Sequence, residues 1–142
     1  MKLSSKTQYG IRILVQVAQA TQAGKLAQGK DIANQQRINE PYLEQIMVLL
    51  KKAGLIQTVR GRRGGYMLAE DNKSISLLDI IEVFEGPVSL ADSGHDMSTS
   101  HGRDAVGRIL DDINKIVREE TSQITLADIM EADRDLMPDY VI

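Results

Sequence analysis

Pro41–Leu68, PYLEQIMVLLKKAGLIQTVRGRRGGYML, joins two kinds of periodicity at a glycine. Its first half spaces Leu43, Ile46, Met47 and Leu50 at three- and four-residue intervals, the pattern of a helix with one buried face. Asn39 is a good N-cap, Pro41 is tolerated in a first turn, and Gly54 can end the helix in a left-handed conformation. The segment therefore predicts a helix from about Glu40 to Ala53. The second half, with LIQTVR, GRRGG and YMLAE in succession, reads as two β-rich runs around a glycine-containing loop. That is a hairpin whose tip concentrates Arg60, Arg62 and Arg63.

Upstream, Ser4 or Ser5 can cap a helix whose apolar positions Ile11, Leu14, Val15 and Ala18 recur at helical spacing, ending near Gly24. Gln28 to Gln36 predicts a two-turn helix anchored by Ile32 and Ala33, and Arg37 to Asn39 forms a tight connection to the next helix. The run from Gly24 to Lys30 partly matches a phosphate-binding loop. Asp31 then stands where a hydroxyl should hold magnesium, and no strong strand precedes it, so nucleotide binding is rejected. Helix, helix, tight turn, helix and basic hairpin is the order of a winged helix-turn-helix, a mainly α fold with a small β hairpin.

Downstream, Ser76 and Asp79 form a capping-box variant for a helix through Leu78, Ile81 and Phe84, closed by Gly86 and Pro87. Val88 to Gly102 is rich in Ser, Asp, Gly and His, and is too long for an ordinary connection. From Arg103 to about Thr121, Val106, Ile109, Leu110, Ile113, Ile116 and Val117 form an apolar seam on a charged helix, which calls for a partner helix. Thr125 and Asp128 repeat the cap pattern, so that ITLADIM echoes ISLLDII as a second helix start. An acidic tail follows from Glu131. The division expected is 1–86 for the winged domain, 87–102 for an effector or sensor loop, 103–123 for a dimerisation helix, and 124–142 for a C-terminal helix and tail.

The 142 residues suffice for one compact domain plus an accessory helix. No apolar run reaches the roughly 18 residues of a membrane span, and MKLSSKTQYG lacks a signal-peptide core, so a cytoplasmic protein without membrane association is expected. With no cysteine, the chain as written has no disulfide, thiolate nucleophile, zinc finger or cysteine-held iron–sulfur cluster. The net charge of −3 conceals a division: residues 1–66 carry eleven basic side chains against three acidic, and the remainder six against seventeen. One half is suited to a polyanion and the other to solvent or a partner protein.

In a winged helix-turn-helix the third helix enters the major groove while flanking elements grip phosphates. Its early positions Glu40, Tyr42, Glu44 and Gln45 are expected to face outward. Gln45 can bond an adenine at two points and Glu44 can accept from a cytosine amino group. The wing arginines suit phosphates or a narrow minor groove, with glycines between them allowing close backbone approach. Lys6 and Lys30, at helix starts, suit phosphates; Lys51 and Lys52 suit either phosphates or the helix dipole.

The stretches MKLSSKTQYGIRIL, Pro41–Leu68, ISLLDIIEVFEGPV and ITLADI together resemble the bacterial regulators of the Rrf-two family over nearly the whole chain. The marks that carry the likeness are Tyr-Leu-Glu-Gln at Tyr42 to Gln45 and Arg-Gly-x-x-Gly-Gly-Tyr at Arg60 to Tyr66. The resemblance implies a homodimer paired through the long helix, with Val106, Ile109, Leu110, Ile113 and Val117 in the seam. It implies binding to a palindromic double-stranded operator, most simply as a repressor, with Glu44 and Gln45 in the major groove and the wing arginine in the minor groove.

The departure lies in the loop. Members of that family that sense iron–sulfur status or oxidants place three cysteines there, whereas this chain has Ser93, Ser98 and Ser100 among His95, His101 and aspartates. A serine hydroxyl does not replace a thiolate as a soft ligand, so no cofactor is expected, and a cluster would belong only to a cysteine-containing parent. His95 and His101 read as solvated loop residues rather than a metal site. Two alternatives stay open: a sensing member whose cysteines are replaced, and an adaptor that uses its acidic half to bind another protein. An effector, whether small molecule or protein, would engage the loop. No arrangement of nucleophile, base and orienting group suggests an enzyme.

Overall fold

The elements run α1 (Ser5–Gln22), α2 (Gly29–Gln36), α3 (Glu40–Lys52), β1 (Ile56–Val59), β2 (Gly65–Leu68), α4 (Leu77–Glu85), α5 (Ala105–Gln123) and α6 (Leu126–Leu136). The computed structural model describes residues 2–90 and 105–136, so the loop residues Ser93, His95, Ser98, Ser100 and His101 lie outside the described residues.

Local chemistry sets the helix starts. Ser4 accepts from the Thr7 amide, Asn39 accepts from the Tyr42 amide at 2.8 Å, and Ser76 and Asp79 bond reciprocally as a full capping box; each supplies a partner to amides that a helix start leaves unpaired. α1 ends at Gln22, just before the Gly24 stop expected from sequence. α2 ends on Arg37 in the left-handed region at φ 57°, which turns the chain tightly into α3.

α1 is buried more widely than a single stripe. Leu14, Val15 and Ala18 are buried as expected, but Ile13 and Val17 are buried too, because α1 packs against α2, α3, β2, α4 and α6 together. α3 closes on this core through Leu43, Ile46, Met47 and Leu50, all at most 2% exposed. β1 and β2 pair antiparallel, with Ile56 opposite Leu68 and Val59 opposite Gly65. Ala27 adds a two-bond bridge to Tyr66 on the other edge of β2, fastening the α1–α2 connection to the ribbon.

The echoing segments ISLLDI and ITLADI are neighbours in space. Leu77 N–H donates to Ile124 at 2.7 Å and Leu126 N–H donates to Ile75 at 2.8 Å, so the entries to α4 and α6 run antiparallel, with Ile75 and Leu126 fully buried. α6 thereby returns to the amino-terminal core and adds Leu126 and Met130 to it. The acidic stretch expected as a tail from Glu131 is helical as far as Leu136. α5 differs. It packs against α4, with Arg118 paired to Glu82, yet no side chain of α5 is buried, and Val106, Ile109, Ile113 and Ile116 are exposed.

Candidate nucleic-acid interface

Glu44 and Gln45 are both exposed on α3, because Leu43, Ile46 and Met47 occupy the inward side of the same turns. Tyr42, expected beside them in solvent, is half-buried instead. Its ring meets Tyr9 of α1 edge to face, with centroids 5.9 Å apart and planes at 90°, the arrangement aromatic quadrupoles favour. Tyr42 thus braces the start of α3 against α1.

Glu44 is held from the ribbon. The Tyr66 hydroxyl donates to Glu44 Oε1 at 3.1 Å, joining β2 to the outward face of α3. Partial burial of the ring, then the bond to Glu44 and its negative charge, push the Tyr66 pKa above the ordinary phenol value, so the hydroxyl remains a donor at neutral pH. With one oxygen occupied, the Glu44 carboxylate still has lone pairs free to accept from a base amino group. Tyr66 stands in the quoted motif, but its partnership with Glu44 spans 22 residues, and no local spacing signals it.

Arg60, Arg62 and Arg63 are exposed on the connection between the two strands. The glycines around them have a reason the sequence did not disclose. A Cβ on Gly64 would lie 2.1 Å from the Val59 carbonyl oxygen, and one on Gly65 would lie 2.6 Å from that of Ala27. These two residues are glycine because the hairpin folds tightly on itself and on the α1–α2 connection; neither needs a nearby phosphate to explain it. Gln28 adds a bond from Nε2 to the Gly64 carbonyl at 2.6 Å, anchoring the root of the arginine loop.

Lys6 is half-buried in the first turn of α1, beside a shallow depression that it shares with Pro41, Glu44, Gln45, Val48 and Leu49. Lys30 is exposed in the first turn of α2, and Lys51 and Lys52 are exposed at the end of α3. Lys6, Glu44 and Gln45 therefore meet around one depression, and the Tyr66 bond ties the ribbon to it. At the same start of α1, Ser4 N–H and the buried Thr7 hydroxyl both donate to Glu85 Oε1 of α4, at 2.7 and 2.5 Å. Those bonds, Thr7 first, hold the Glu85 carboxyl below its ordinary pKa. Among the described residues, no group of three or more His, Cys, Asp or Glu is placed to hold a metal ion.

A three-helix core with a tight α2–α3 turn, an outward polar face on α3 and an arginine-bearing ribbon tied to that face define a winged helix-turn-helix DNA-binding protein. The Rrf2 family model, described as an iron-dependent transcriptional regulator, matches residues 3–132. The chain is 37% identical to the transcriptional regulator CymR of Bacillus subtilis over 117 residues, covering 78% of this chain and 84% of that one. It is 35% identical to the transcriptional regulator IscR of Cereibacter sphaeroides over 136 residues, covering 92% and 88%. The solved structure of IscR from T. potens superposes with a TM-score of 0.76 at 33% identity, covering 98% of this chain and 93% of that one. The chain belongs to the Rrf2 family and is a DNA-binding transcriptional regulator.

The donor set does not fit the iron–sulfur cluster that such a family suggests. There is no cysteine anywhere in the sequence, and hydroxyls are hard ligands for that site.

Proposed function

We propose that the chain represses transcription in the cytoplasm as a homodimer on a palindromic operator, without an iron–sulfur cluster. Exposed Glu44 and Gln45, side by side on α3 and linked to the arginine ribbon through Tyr66, are the observation that carries this reading. In it Gln45 bonds an adenine edge, Glu44 accepts from a cytosine, and Arg60, Arg62 and Arg63 reach phosphates or the minor groove. Lys6 and Lys30 hold backbone phosphates, and Tyr42 supports the reading face from behind.

A second copy covers the α5 stripe of Val106, Ile109, Leu110, Ile113 and Val117, with the two α3 helices facing half-sites whole helical turns apart, on the order of 34 Å each. Support comes from a face that the chain leaves open: Val106 and Ile109 are 63% and 59% exposed on a helix otherwise rich in charge. The segment bearing Ser93, His95, Ser98, Ser100 and His101 joins α4 to α5, so an effector or partner protein bound there would act by favouring one spacing of the α3 helices over another.

Selection of binding sites from random duplex DNA tests this. The expected product is a palindrome, and Glu44→Ala should relax preference at one base position per half-site more than it lowers overall affinity. Recovery of no consensus, or uniform weakening on every site, overturns it.

A further inference from the structure

α3 carries an exposed β-branched side chain on its outward face, beside exposed Pro41 and half-buried Leu49. Val48 is 58% exposed, whereas Leu43, Ile46, Met47 and Leu50 of the same helix are at most 2% exposed. At about 100° per residue, Val48 falls between Glu44 and Gln45 around the helix axis and about 5 Å further along it. It lines the shallow depression with Lys6, Pro41, Glu44, Gln45 and Leu49. The fold has no use for valine at this place: it fills no core, and a β-branched residue is a weaker helix former than the straight-chain alternatives. Its surroundings suit nucleic acid, with Lys6 in the depression, Lys51 and Lys52 following on the helix, and the arginine ribbon joined through Tyr66.

In the major groove the apolar feature of a base edge is the 5-methyl group of thymine. The geometry points to Val48 as a further specificity-determining residue that contacts a thymine methyl one or two base steps from the bases read by Glu44 and Gln45. This rests on the DNA-reading face proposed above. It adds an apolar contact to two polar ones and predicts a thymine at that step.

The test uses the full chain and the duplex recovered by selection, with each thymine replaced in turn by deoxyuridine, which removes only the methyl group. For the wild-type protein, one thymine per half-site should weaken binding roughly fourfold on replacement, the worth of one buried methyl-sized group. Val48→Ala, its folding checked by thermal unfolding, should bind the thymine duplex about fourfold more weakly and be indifferent to deoxyuridine at that step. Val48→Ile should restore the discrimination. A selected operator on which Glu44→Ala relaxes base preference, but where no deoxyuridine effect depends on residue 48, overturns this inference and leaves the reading face standing. Failure to select any operator overturns both.

Discussion

α3 and α5 are both amphipathic and differ in what meets their apolar sides. The four inward residues of α3 are sealed against α1 and the rest of the core, so its remaining surface is presented rigidly. α5 offers a longer apolar stripe, and the same chain leaves four of its residues exposed, although Arg118 docks on Glu82 and Asn114 accepts from the Leu90 amide at 2.7 Å. Helical apolar periodicity therefore signals that a face needs covering without saying by what. Which helix is served by its own chain depends on the neighbours that the fold brings to it.

Breaking the sealed side of α3 should have the largest effect. Ile46→Ala removes a fully buried side chain and should lower unfolding free energy by about 2–5 kcal/mol in denaturant titration, with DNA binding lost only as the fold is lost. The equivalent disruption of α5 should separate assembly from folding. Ile113→Asp places a charge in the proposed seam and should yield monomers in sedimentation velocity while retaining helical circular dichroism. A persistent dimer would place the interface elsewhere.

Smaller effects sharpen how the α3 face is held. Tyr66→Phe deletes the donor to Glu44 and should cost roughly 0.5–1.5 kcal/mol of discrimination at the base Glu44 reads. The salt dependence of binding should stay unchanged, because no cation is removed. If Tyr66 only filled space, the base preference would not move.

The smallest effect concerns the α1–α4 contact. Glu85 has a lowered folded-state pKa, so the ionised carboxylate is the form that folding favours. Its contribution is fully present above the unfolded value of 4.5 and is lost as pH falls through the lowered folded value. Glu85→Gln should accordingly be less stable than wild type at neutral pH, and the two melting temperatures should converge on acidification below that value. A gap that persists in acid would mean that Glu85 acts through packing.

Much of this could be read from neighbouring residues alone. Asn39 with Pro41, Ser76 with Asp79, the stripe Leu43–Ile46–Met47–Leu50 and the paired runs around GRRGG each signal structure over a few positions, because caps, helical faces and hairpins are satisfied within one or two turns of chain. Glu44 and Gln45 were legible as outward residues by the same logic. Tyr42 was not: its apparent outward position was overruled by Tyr9, which lies 33 residues earlier and comes close only when α1 and α3 pack.

The sequence by itself determined the order of helices and hairpin, the polar face of α3 and the division of charge, since these follow from periodicity and composition. Tertiary structure decided the Tyr66–Glu44 link, the packing need behind Gly64 and Gly65, the pairing of ISLLDI with ITLADI, and the return of α6 to the core. Apart from Gly64, which is crowded by Val59 five residues earlier in the same hairpin, each of these joins groups far apart along the chain. Only folding brings such groups within the roughly 3 Å at which a hydrogen bond forms or a Cβ collides.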